Sequence, residues 1–137
     1  MGGPDAGMGN LRASLTDYRV VAPFNDGDHV VIATNPALGV SAKTCWPGAR
    51  LLVRGGPNGA DRALLESVAD IRYTAKRYDS IVVGSGDGIF ETVVHAYRPL
   101  GLMVGVVSRR VSLAYGLGSS ATFVRYLPEP CEPNVAA

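Results

Sequence analysis

The rhythm of the apolar segments constrains this chain more than any other feature. Short continuous apolar runs recur along it. They are His29-Val30-Val31-Ile32-Ala33, Ala49 to Arg54, Ser80-Ile81-Val82-Val83-Gly84, Leu102 to Val107 and Thr122 to Leu127. A run that is apolar at nearly every position fits a strand buried on both faces. Between the runs lie stretches of helical spacing: Asn10–Val21, a short piece after Asn35-Pro36, Ala60–Lys76, Ile89–Tyr97 and Val111–Leu117. In the longest, Leu64, Leu65, Val68, Ile71 and Ala75 share one side, as a helix lying on a sheet requires. Asn35-Pro36 is a good helix opening, because Asn caps and Pro suits the first turn. Strand–helix alternation predicts an α/β fold: a Rossmann-like three-layer sandwich with a mostly parallel sheet of about five strands.

One domain is expected over 10–128, between a loose Gly-rich segment at 1–9 and a loose tail at 129–137. A chain of 137 residues buries enough surface to fold without a disulfide framework or structural metal. Its 47% hydrophobic and 18% charged residues and mean hydropathy of +0.13 exclude a disordered polymer. Net charge is +1, so bulk charge points to neither a nucleic-acid nor a membrane partner. The basic residues are eleven Arg and only two Lys, Lys43 and Lys76, and Arg offers a planar fork for phosphate and carboxylate. Cys45 and Cys131 stand far apart with no CxxC, so reduced thiols are expected and a zinc site is not. The opening Met1-Gly2-Gly3-Pro4-Asp5-Ala6 lacks the basic and apolar regions of a signal peptide, and Ala6 breaks the myristoylation pattern. No run reaches the roughly 20 apolar residues that span a bilayer, so a cytoplasmic protein with no membrane partner is expected.

Functional residues of parallel sheets gather beyond the carboxyl ends of the strands. Two acids lie there: Asp61, in Pro57-Asn58-Gly59-Ala60-Asp61-Arg62, and Asp87, in Gly84-Ser85-Gly86-Asp87-Gly88. Taken singly, each fits a helix cap. Taken together, they also fit a magnesium site, since a hard cation wants oxygen ligands and keeps several waters. Other motifs fail. Ile89 occupies the place of the third glycine in a G-x-G-x-x-G reading of the 84–89 loop. Gly116 to Ala121 spells G-x-G-x-x-A but precedes a strand, the wrong context for a dinucleotide. There is no G-K-[ST] and no G-x-S-x-G. His29 and His95 read as structural, with no Ser or Cys nucleophile placed beside either.

Gly59-Ala60-Asp61-Arg62-Ala63-Leu64-Leu65, then Tyr78 to Phe90 with its Ser85-Gly86-Asp87-Gly88, and Gly101 to Ser108 resemble the NYN domain. This is the bacterial branch of the PIN-like nuclease superfamily, and the likeness covers about 28–128. Trp46-Pro47-Gly48-Ala49-Arg50 looks like the small actinobacterial members. The resemblance implies a PIN-like sheet and metal-dependent cleavage of RNA, with Asp61 and Asp87 as catalytic ligands of Mg2+ or Mn2+. Arg54, Arg62 and Arg109, near the same rim, are candidates to hold the RNA backbone. Two departures accompany it. Ile89 stands where many members carry a second Asp, and the family's first, Asp-bearing central strand has no counterpart ahead of Leu11. A sheet lacking that strand has an unpaired edge, so a homodimer is expected. Beside the nuclease stand two other readings: an inactive NYN module that binds RNA or protein, and a small-nucleotide or phosphate binder using the 84–88 loop.

Overall fold

All five apolar runs become strands, and every pairing between them is parallel. The computed structural model describes residues 15–22, 25 and 28–128. Strand β1 (Val31–Thr34) pairs with β2 (Arg50–Val53), Ile32 lying opposite Leu51. Strand β3 (Ser80–Val83) pairs with β4 (Met103–Ser108), which pairs in turn with β5 (Phe123–Tyr126). The chain is therefore α/β with parallel strands. The strands do not join in one sheet, however. They form a two-stranded sheet, β1-β2, and a three-stranded sheet, β3-β4-β5. Side chains rather than backbone bonds link the two at β1 and β3: His29, just before β1, stacks on Tyr78, just before β3, with ring centroids 6.4 Å apart.

Helices connect the strands. Helix α1 covers 15–21. After β1, Asn35 accepts a hydrogen bond from Leu38 N and Pro36 opens a 3-10 turn. The turn leads into α2 (Gly39–Cys45). Helix α3 (Gly59–Ser67) follows β2, α5 (Glu91–Tyr97) follows β3, and α6 (Tyr115–Ser120) precedes β5. The predicted helix over Ala60–Lys76 is in fact two, because α4 (Ile71–Arg77) starts afresh with Asp70 accepting from Tyr73 N. The break has a buried cause. Tyr97 donates its hydroxyl hydrogen to the Val68 carbonyl, which fixes that carbonyl to a partner outside its helix. The predicted Val111–Leu117 helix begins later, at Tyr115, since Ala114 N is bound to Gly86 O and residues 110–112 form a 3-10 turn.

The core lies under the three-stranded sheet. Val83, Phe90, Val93, Val94, Tyr97, Leu102, Val104, Val106 and Leu117 form it, and Leu64 and Leu65 of α3, with Val68 just after it, pack against it. Strand β4 is buried from Val104 to Ser108, which explains its unbroken apolar run. Around the two-stranded sheet the fully buried side chains are small, Ala42 of α2, Ala49 and Thr34, and Val53 is exposed. Among the described residues no helix is long and apolar enough to cross a membrane. The predicted segments 1–9 and 129–137, the start of the first helix, and Cys131 lie outside the described residues.

Candidate functional site

Asp61 reaches the carboxyl rim through a tight turn after β2. Asn58 takes a left-handed conformation, with φ 57°, and Gly59 packs so closely on Arg54 that an added Cβ would sit 2.8 Å from its carbonyl oxygen. Only glycine tolerates that approach. Asp61 then falls in the first turn of α3, where the helix dipole favours a negative charge. The helix is not capped by Asp61, since its N-cap position is Asn58.

Asp87 does act as a cap. Its Oδ1 accepts from Ile89 N at 3.0 Å, and its own amide donates to Ser85 Oγ at 3.2 Å. The loop beneath is locked: Ala114 N donates to Gly86 O at 2.8 Å, and Gly86 has Ser108 and Ser112 where a side chain would be. The Asp87 carboxyl is thereby oriented by the Ile89 amide on a loop that is itself fixed.

The two acids meet. The Asp61 carboxyl lies near that of Asp87, and its pKa is raised, first by burial, then by the Asp87 charge and a hydrogen-bonding interaction with Asp87. Two neighbouring carboxylates repel, and a cation between them would relieve that repulsion. The donor set is all oxygen, which fits Mg2+ or Mn2+ with water completing the shell. Among the described residues no group of three or more His, Cys, Asp or Glu side chains is placed to hold a metal ion. Glu91 does not join the pair: its carboxylate lies against Gly116 of α6, with His95 Nε2 at 4.0 Å. Ile89 packs against the core.

The three arginines go different ways. Arg54 is paired with Glu66 of α3, which draws the Glu66 pKa down and raises its own. Arg109 donates to the Pro128 carbonyl at 2.6 Å and lies 3.9 Å from Asp17 of α1. Arg62 is exposed on α3, directly after Asp61. His29 is stacked on Tyr78, consistent with a structural role. His95 is exposed and contacts Glu91 across one helical turn.

Two features of the rim escape a reading by motif. Tyr18 of α1 donates to Gly84 O at 2.8 Å, and burial raises its pKa against the opposing pull of Arg109. Beside Asp87 lies an open surface depression, bordered by the 85–88 loop on one side and by 111–114 on the other. Only the pairing of sequence-distant loops creates it. No protein-family model, curated protein or solved structure matches the chain.

Proposed function

We propose that the chain is a PIN-like domain of the NYN type, acting in the cytoplasm as an Mg2+- or Mn2+-dependent endoribonuclease with a reduced acidic site. The supporting observation is the meeting of Asp61 and Asp87. They arise from elements that follow different strands, yet Asp87 is near enough to raise the Asp61 pKa. Asp87 is oriented by its cap bond and Asp61 by the first turn of α3. Together they would hold the cation. A bound cation supplies an activated nucleophile at neutral pH and neutralises charge developing on the phosphate. Arg62, exposed beside Asp61, is the arginine best placed to meet an RNA phosphate. In this reading the two parallel sheets are halves of one three-layer sandwich, open between β1 and β3, and a homodimer closes it.

Purified protein incubated with mixed RNA is expected to cleave it only when Mg2+ or Mn2+ is present. Asp87→Asn should lower the rate by about 100-fold or more, the scale of losing a cation ligand. Equal, metal-independent cleavage by both proteins would falsify the nuclease reading. The retirement of Arg54 and Arg109 into internal contacts favours one other reading, an inactive module that binds RNA or protein. RNA retention with no cleavage under either metal would select it.

A further inference from the structure

Tyr18 of α1 has no part in the acid pair, yet it grips the loop that carries Asp87. Its hydroxyl donates to Gly84 O at 2.8 Å, across 66 residues of chain. Its ring packs on the same residue: a Cβ added to Gly84 would lie 3.0 Å from Tyr18 Cε1. Burial raises the Tyr18 pKa against the pull of Arg109, so the hydroxyl stays a donor through the neutral range. Gly84 directly follows β3 and opens the loop. Beyond it, Gly86 O accepts from Ala114 N, and Asp87 caps the next turn through Ile89 N. Two bonds from distant segments therefore bracket Ser85 just ahead of Asp87. Helix α1 is a firm support for one of them. Arg109, just after β4, lies 3.9 Å from Asp17, and Arg125 of β5 donates to Val21 O at 3.2 Å. Arg19 lies over the Trp46 ring, 4.9 Å from its centroid. The helix is thus tied to β3, β4 and β5 and to the segment after α2.

We infer that Tyr18 is a positioning residue for the acid pair: by holding Gly84 O it fixes where the 84–88 loop presents Asp87 to Asp61. This role rests on the ribonuclease reading, in which Asp87 holds the cation, but the bond acts on the loop with or without metal. Asp61 is set by a different element, the first turn of α3. The separation of the two carboxyls therefore depends on how far the loop can shift. A cation site needs its ligands held to within about 0.5 Å. Released at Gly84, the loop keeps its bond at Gly86 O but gains freedom on the side of β3, and Asp87 moves with it. Groups that orient metal ligands commonly contribute about 10- to 100-fold in affinity. Tyr18 acts one step further out, through the loop backbone, so the lower end of that range applies.

The test compares the full chain with Tyr18→Phe, which keeps the ring and removes only the hydroxyl. Without metal, amide hydrogen exchange at Asp87 and Ile89 should run about 3- to 10-fold faster in the variant, the scale of one lost hydrogen bond. Val104 and Val106, in the core, should exchange as in wild type. Titration with Mn2+, followed by the paramagnetic resonance signal of the free ion, should show about 10-fold weaker binding. In an Asp87→Asn background the same change should add nothing, since its effect passes through Asp87. Wild-type exchange at Asp87 and Ile89, wild-type Mn2+ affinity, or faster exchange throughout the core overturns the positioning role. If one of these comes while wild type cleaves RNA with Mg2+ and Asp87→Asn does not, the nuclease reading stands without it. A wild type that neither binds Mn2+ nor cleaves RNA overturns the nuclease reading, and amide exchange alone then decides whether Tyr18 sets the Asp87 loop.

Discussion

Asp61 is the residue whose ionisation most directly reports on the site. Its pKa is raised in the folded protein by burial, by Asp87 and by their hydrogen bond. A carboxyl with a raised folded pKa binds its proton more tightly in the native state than in the unfolded chain. Stability from this group is therefore lost as pH rises from the ordinary Asp range, about 4, through the raised folded value. Asp61→Asn removes that loss. Its melting temperature should exceed that of wild type at neutral pH, and the difference should shrink on titration toward about pH 4. The group is largely solvated, so the gain belongs below about 1 kcal/mol, a shift of about 1 to 4 °C. Added Mg2+ should stabilise wild type by mass action and leave Asp61→Asn unmoved. Calorimetric scans across pH, with and without the metal, check both halves. A pH-independent difference between the proteins would show that the pair is not coupled. The positions of Asp61 and Asp87 were readable in the sequence because glycines mark the turns after strands. The allegiance of Arg109 was not, since its partners, Pro128 and Asp17, are distant in sequence.

At the scale of elements, the chain's periodicity foretold type better than extent. The helical spacing of Leu64, Leu65, Val68, Ile71 and Ala75 continues through the gap between α3 and α4, with no Gly or Pro to mark a stop. What divides them is tertiary: the buried Tyr97 hydroxyl claims the Val68 carbonyl from 29 residues away, and Asp70 caps the restart. This makes a definite demand on Tyr97→Phe. The ring would keep its packing, but the Val68 carbonyl would lose its partner in a part-buried setting. Leaving a buried acceptor unsatisfied costs about 1–3 kcal/mol, which urea unfolding should register as a lowered midpoint at unchanged slope. An unchanged midpoint would mean that the break is set by Asp70 alone. The late start of α6 has the same kind of origin, because the bond from Ala114 N to Gly86 O joins loops that no local pattern connects.

At the scale of the whole molecule, the division of the sheet is the feature with the largest consequence. The amino ends of β1 and β3 are brought together by His29 and Tyr78, and the acid pair links the carboxyl side of the two sheets. Helix α3 bridges them, touching β1 while its leucines pack on the core beneath β3 and β4. Even so, no described strand pairs with the free edge of β1 or of β3. Val82 of β3 is 37% exposed, and such edges are templates for another chain. A two-stranded sheet is marginal by itself, so edge pairing would add stability where the fold has least. The expectation is a homodimer, with a mass by sedimentation near twice the 14.3 kDa of the chain. Val82→Lys should shift it to monomer, because a charged side chain on an edge strand opposes pairing. Its circular dichroism should stay that of wild type, since the position is already partly in water. A wild-type protein that sediments as a monomer at every concentration would mean that the β1 and β3 edges stay unpaired, and that the acid pair alone spans the two sheets at the rim.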